Sequence, residues 1–105
     1  YFEMPNVREF ISEQPEEVRK EYGDIAKELE RNGFLTMPTG EKIQGENLFA
    51  IRVIQTANIR VFYVYGKNDL IFGLYGYVKK TQQIPTHELR HARKMVKQLK
   101  LGGQI

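Results

Sequence analysis

Apolar residues recur at helical spacing in two N-terminal stretches. Pro5 to Glu13 places Val7, Phe10 and Ile11 on one side, which predicts a short helix. Pro15 opens a longer one, with Val18, Tyr22, Ile25 and Leu29 as its apolar stripe, Glu16 and Glu17 in the first turn and Gly33 as the stop. Tyr1 to Met4 reads as the end of a strand ahead of this helical hairpin. Phe34 to Asn47, with Pro38, Gly40 and Gly45, reads as a connecting loop.

The pattern then changes. Leu48 to Ile54, Ile59 to Tyr65 and Leu70 to Val78 are rich in β-branched and aromatic residues and are separated by short turns, Gln55 to Asn58 and Gly66 to Asp69. This spacing predicts an antiparallel meander of three to four strands. Alternation puts Leu48, Ala50 and Arg52 on one face and Phe49, Ile51 and Val53 on the other. In the next strand it sets Arg60, Phe62 and Val64 against Val61, Tyr63 and Tyr65. Both faces are partly apolar, which suggests helices on one side and a concave, aromatic-lined surface on the other. Pro85 to Leu101 is a last helix, with Leu89, Ala92, Val96 and Leu99 buried and Gly102 and Gly103 ending it. The prediction is one α+β domain spanning residues 1–105.

Composition narrows the function classes. Without cysteine there are no disulfides, thiolate zinc sites or cysteine nucleophiles, which suits a cytoplasmic protein. No run approaches the roughly 20 apolar residues of a membrane helix, and no leader is evident, although a start at Tyr1 is compatible with trimming. The net charge of +3 conceals an asymmetry. Of the 13 acidic residues only Asp69 and Glu88 follow Glu46, whereas Arg52, Arg60, Lys67, Lys79, Lys80, Arg90, Arg93, Lys94, Lys97 and Lys100 all do. The second half is the place to look for an anionic partner.

Two motifs there compete for attention. His87-Glu88-Leu89-Arg90-His91 matches the H-E-x-x-H zinc pattern, but residues 92–105 contain no Asp, Glu, His or Cys to supply a third ligand, and Arg90, Arg93 and Lys94 would repel a divalent cation. Gly66, Gly73 and Gly76 lack a phosphate-loop pattern, and the basic half has no paired carboxylates for magnesium. The expectation is metal-free chemistry with no cofactor. The other feature is the strand that ends in Lys79 and Lys80. By themselves these lysines would serve to protect a sheet edge, and Arg52 and Arg60 would pair with Glu or Asp across the sheet.

Together, Arg52, Arg60, Lys79 and Lys80 beside Tyr63, Tyr65, Tyr75 and Tyr77 form a set that can hold single-stranded RNA: cations neutralise phosphates, and bases stack on rings. Such a set can also cleave it. When a 2′-hydroxyl attacks the adjacent phosphate, Arg and Lys stabilise the phosphorane while a Lys, Tyr or His moves protons.

Leu48-Phe49-Ala50-Ile51-Arg52, Asn58 to Tyr63 and above all Tyr77-Val78-Lys79-Lys80-Thr81-Gln82-Gln83-Ile84-Pro85, followed by Glu88 and Ala92, resemble the phage-derived-protein branch of the RelE/HigB toxins. The resemblance spans nearly the whole chain. It implies a RelE-like α+β toxin of a type II toxin–antitoxin pair, an endoribonuclease cutting messenger RNA on the ribosome, neutralised by a helix-turn-helix antitoxin. It also implies that Arg52 and Arg60 hold the scissile phosphate and that Lys80, with Lys79, stabilises charge or protonates the leaving group. Some RelE-type enzymes carry a catalytic Tyr near the start of the last helix. Here no Tyr follows Tyr77, which leaves Tyr77 or His87 to move the proton. Tyr63, Tyr75, Gln82, Arg90, Arg93 and Lys94 are the expected RNA contacts. Two alternatives remain: a superfamily toxin that binds a protein such as gyrase, as ParE-like relatives do, and an RNA-binding module without cleavage.

Overall fold

A computed structural model describes residues 1–105. The predicted helices form: α1 is Pro5–Ser12, α2 is Glu16–Asn32 and α3 is Thr86–Leu101. Pro5 stands at the first turn of α1, where its missing N–H costs nothing, and Gly33 ends α2 at φ 81°, a left-handed cap that glycine adopts freely.

The sheet has five strands rather than three or four. β1 (Phe2–Glu3), β2 (Gly40–Lys42), β3 (Phe49–Val53), β4 (Ile59–Tyr65) and β5 (Ile71–Val78) lie in the order β1-β5-β4-β3-β2. The meander is antiparallel, but β1 pairs parallel to β5, so the sheet is mixed. β2 lies within the stretch read as a loop. Its three residues are too few to show alternation, and Gly40 is needed because a Cβ there would come within 2.4 Å of the Leu35 Cβ. β1 is tied down by its own polar chain: the Tyr1 and Tyr22 hydroxyls are 2.9 Å apart, and Tyr22 donates to Glu3. This α+β architecture is compatible with a RelE-like fold.

Both sheet faces are covered. Val7 and Ile11 of α1 and Val18, Tyr22, Ile25 and Leu29 of α2 pack on Ile51, Val53, Val61 and Tyr63. On the other face, Ala92 and Leu99 of α3 pack on Ala50, Phe62, Val64, Leu74 and Tyr77. The strand alternation is as the sequence predicted, but the open aromatic surface is not there. The stripe of α3 that buries its apolar residues lies over that face, because leaving it exposed would forfeit roughly 25 cal/mol per Å² of apolar area.

The turn between β3 and β4 is held from below by α2. The Glu21 carboxylate accepts from the N–H groups of Ile54, Gln55 and Thr56 at 2.8–3.1 Å and from the Thr56 hydroxyl at 2.7 Å. Partial burial alone would raise its pKa, but the Thr56 hydroxyl and the three N–H groups together hold Glu21 below the usual carboxylate range. A folded-state pKa below the unfolded one stabilises the fold above the unfolded value and loses that contribution as pH falls through the folded one. Glu21→Ala is therefore expected to cost about 1–2 kcal/mol near pH 7, a figure reduced for solvent screening at this exposed site. The difference from the parent should shrink as the pH falls below about 4. Urea melts at pH 7 and pH 3 measure both.

Candidate nucleic-acid site

The register places three polar side chains in one row across three strands. Arg52 lies opposite Arg60, and Arg60 opposite Tyr77, all on the face that α3 shares. Two guanidinium groups on directly opposed residues repel each other. Burial first, and then the neighbouring Arg52, lowers the Arg60 pKa from the usual arginine range, with Glu41 and Tyr77 acting in the opposite direction.

Glu41 of β2 is the compensating charge. Its Oε1 lies 3.5 Å from the Arg60 Nε and 3.9 Å from the Arg52 Nε, too far for hydrogen bonds. The predicted alternative, in which both arginines pair with acidic residues across the sheet, is thus met only as loose ion pairs. Arg52 Nε, Arg60 Nε and the Tyr77 hydroxyl are all buried without a hydrogen-bond partner. An unpaired buried polar group costs about 1–3 kcal/mol, and three of them stand together in this row.

The row is held rigidly around these free atoms. Arg60 Nη1 donates to Asn58 Oδ1 at 3.0 Å and to the Ile59 carbonyl at 3.2 Å, and Arg52 Nη1 donates to the Pro38 carbonyl at 3.0 Å. Asn58 also fixes the end of β5. Its carbonyl accepts from the Lys79 N–H and its Nδ2 donates to the Lys79 carbonyl, both at 2.8 Å. Phe62 stacks on Tyr77 with ring centroids 5.5 Å apart. Burial pushes the Tyr77 hydroxyl up to about 12, and although Arg60 opposes the shift, Tyr77 keeps its proton at neutral pH.

Beside the row is an open cleft of about 450 Å³ lined by Asn58, Arg60, Lys79, Lys80, Thr81 and Gln82, none of them hydrophobic. Lys79 and Lys80 follow the last residue of β5 and precede the bend at residues 81–83, so they rim the cleft from the extension of the strand, where the Lys79 N–H still pairs with the Asn58 carbonyl. Three cations around a polar hollow favour an anion.

The predicted residues separate into three groups. Arg60, Lys79, Lys80 and Gln82 come together in the cleft wall, with Arg52 and Tyr77 adjoining Arg60. His87 does not line the cleft. Its Nε2 is 3.4 Å from Glu88 Oε1, the same atom that accepts from the Tyr75 hydroxyl at 3.0 Å. The zinc-like motif is used within this group, since His91 stacks on Tyr75 at 4.9 Å and Glu88 is itself buried. Tyr75 is thereby engaged on its face and at its hydroxyl, and offers RNA only what remains.

Tyr63, Arg90, Arg93 and Lys94 are not brought to the cleft. Tyr63 is a correction: it points to the opposite face and is 1% exposed, locked in the core with α1 and α2. Arg93 is committed elsewhere, donating through Nε at 3.1 Å and Nη2 at 2.5 Å to the two Glu46 oxygens. Arg90 and Lys94 are exposed on α3 and line no part of this hollow. Sequence reasoning missed Glu41, read as loop, and Asn58, read as a turn residue. The signal for Glu41 was available only once β2 was paired, because it becomes a neighbour of Arg52 and Arg60 through that register.

Compared with curated proteins, the chain has no match. Residues 9–97 match the family model described as Phage derived protein Gp49-like (DUF891), and that span includes the whole cationic row and cleft. The chain therefore belongs to the Gp49-like family of phage-derived proteins, a family associated with the toxins of toxin–antitoxin pairs.

Proposed function

We propose that this protein is the toxin of a type II toxin–antitoxin pair and that it acts as a RelE/HigB-type endoribonuclease on messenger RNA at the ribosome. The carrying observation is the row of Arg52, Arg60 and Tyr77, whose three buried polar atoms lack partners beside a cleft that also holds Lys79 and Lys80. Family membership supports the toxin half of this reading. A helix-turn-helix antitoxin is the proposed partner, and the cytoplasm the proposed site of action.

The chemistry follows from the residues present. A phosphodiester seated in the cleft meets the cations that line it, Arg60, Lys79 and Lys80, with Arg52 and Tyr77 adjoining Arg60 in the row behind. The 2′-oxygen bonds to phosphorus, the bond to the 5′-oxygen breaks, and a 2′,3′-cyclic phosphate remains. Arg52, Arg60 and Lys80 stabilise the charge of the phosphorane as it develops, which lets the step run on protein cations. Tyr77, protonated at neutral pH, donates to the departing 5′-oxygen. Glu41, the carboxylate beside both guanidinium groups, takes the proton of the 2′-hydroxyl.

Induced expression followed by mapping of transcript 5′ ends tests this. New ends within translated regions, dependent on active translation, are the expected result. Growth arrest with DNA-damage signalling and no new ends would overturn it in favour of a protein target of the gyrase type.

A further inference from the structure

We infer that the outer edge of β5, beside the cleft, is a docking strand for an extended peptide segment of a protein partner whose side chains alternate acidic and apolar. This rests on backbone pairing and not on the proposed cleavage.

Antiparallel pairing turns alternate residues of a strand toward its neighbour and leaves the others facing outward. The bond from the Lys79 N–H to the Asn58 carbonyl and the register Arg60↔Tyr77 and Phe62↔Tyr75 turn Tyr75, Tyr77 and Lys79 toward β4. Gly76 and Val78 therefore face outward. At the other end of β5 the outward groups are used: β1 pairs there, the Met4 N–H donates to the Gly73 carbonyl, and Asn6 Nδ2 donates to the Leu74 carbonyl at 3.0 Å. At Pro5 the chain leaves the sheet for α1, and the N–H and C=O groups of Gly76 and Val78 are left with no partner from any element.

The sheet's other edge is not comparable. β2 is three residues long, the Gly40 N–H is already bonded to the Thr36 carbonyl, and Leu35 lies against Gly40. The β5 edge, by contrast, ends at the lysine pair. A strand added there, as in β-augmentation, has alternate side chains on the two faces. Those on the cleft face meet Lys79, which calls for carboxylates. Those on the other face meet Val78, 47% exposed, and the Phe10 ring that lies under Gly76, which calls for apolar groups. A partner bound this way would run alongside Lys79, one of the residues that line the cleft.

Amide exchange in the 15N-labelled protein tests the inference, with a blocked pentapeptide alternating glutamate and valine at millimolar concentration. Exchange at Gly76 and Val78 should slow about tenfold or more while Lys42 on the opposite edge is unchanged. The same peptide with lysine for glutamate, or N-methylated at alternate residues, should give no protection. Val78→Pro removes an outward N–H that no internal bond uses and should abolish the effect. The N-methylated peptide gives the same information on the unaltered protein. Absence of protection, or equal protection by the lysine peptide, would overturn the proposal. So would protection of these amides without peptide in a self-associated form, which would assign the edge to a second copy, or protection by oligouridylate alone, which would assign it to RNA.

Discussion

Arg60→Ala should lose at least about a hundredfold in RNA cleavage, and with it growth arrest, because a preorganised donor to a developing oxyanion is worth roughly 10²–10³ in rate. Its Nε is one of the row's three buried atoms without a partner, and its side chain lines the cleft. The fold should tolerate the change. Removing Arg60 relieves its repulsion with Arg52, and Glu41, whose side chain is 29% exposed, keeps the nearby Arg52 and solvent. A thermal midpoint within a few degrees of the parent and an unchanged helical CD spectrum would show this. Lys80→Ala, exposed and beyond β5, is the matching control with no core role, and growth arrest should also weaken. If both variants arrest growth like the parent, the phosphate site is misassigned.

Phe62→Ala should destabilise the domain more than any other single change named here. Phe62 is fully buried on β4, stacked on Tyr77 and surrounded by Ala50, Val64, Leu74 and the Ala92 and Leu99 residues of α3. Emptying such a site costs about 3–5 kcal/mol, against the roughly 5–15 kcal/mol of a whole small domain. In a chain of this length that lowers the thermal midpoint by about 15–30 °C. Tyr65→Ala on the same strand, at a position already 38% exposed, should cost far less. Calorimetry of the pair separates the two. A drop of only a few degrees for Phe62→Ala would mean that α3 does not close this face as described. Because the Phe62 ring supports Tyr77, residual activity should fall even where the variant is folded.

Helices were the most legible part of the fold, for a local reason. α2 carries its acidic first turn and its stripe within 17 consecutive residues and its stop signal, Gly33, in the next, so no distant contact is needed to infer it. The three longer strands were legible through alternation, which divided each strand between two faces, whereas only the register placed Arg52 and Arg60 on the same one. β2 was not, since three residues among Pro38, Gly40 and Gly45 hold no periodic pattern. The candidate site was half legible. Lys79, Lys80, Arg52 and Arg60 stood out as cations in a basic half, whereas Glu41 and Asn58 matter only through partners that chain order keeps apart.

Tyr63 shows the limit in the other direction. As a residue type it suits base stacking, but its parity on β4 points it to α1 and α2, and a ring 1% exposed stacks on nothing from solvent. Arg93 likewise belongs to the basic helix by sequence and to Glu46 by structure.

The sequence by itself determined the helices, the strand faces and the concentration of positive charge after Glu46, because each depends on residues close along the chain. Only the tertiary structure decided that α3 closes the second face, that Arg52, Arg60 and Tyr77 form one row with Glu41 beside them, and that β5 keeps an open edge at Gly76 and Val78. Those depend on register and on which element covers which face, and both are set by packing among segments that the chain order leaves far apart.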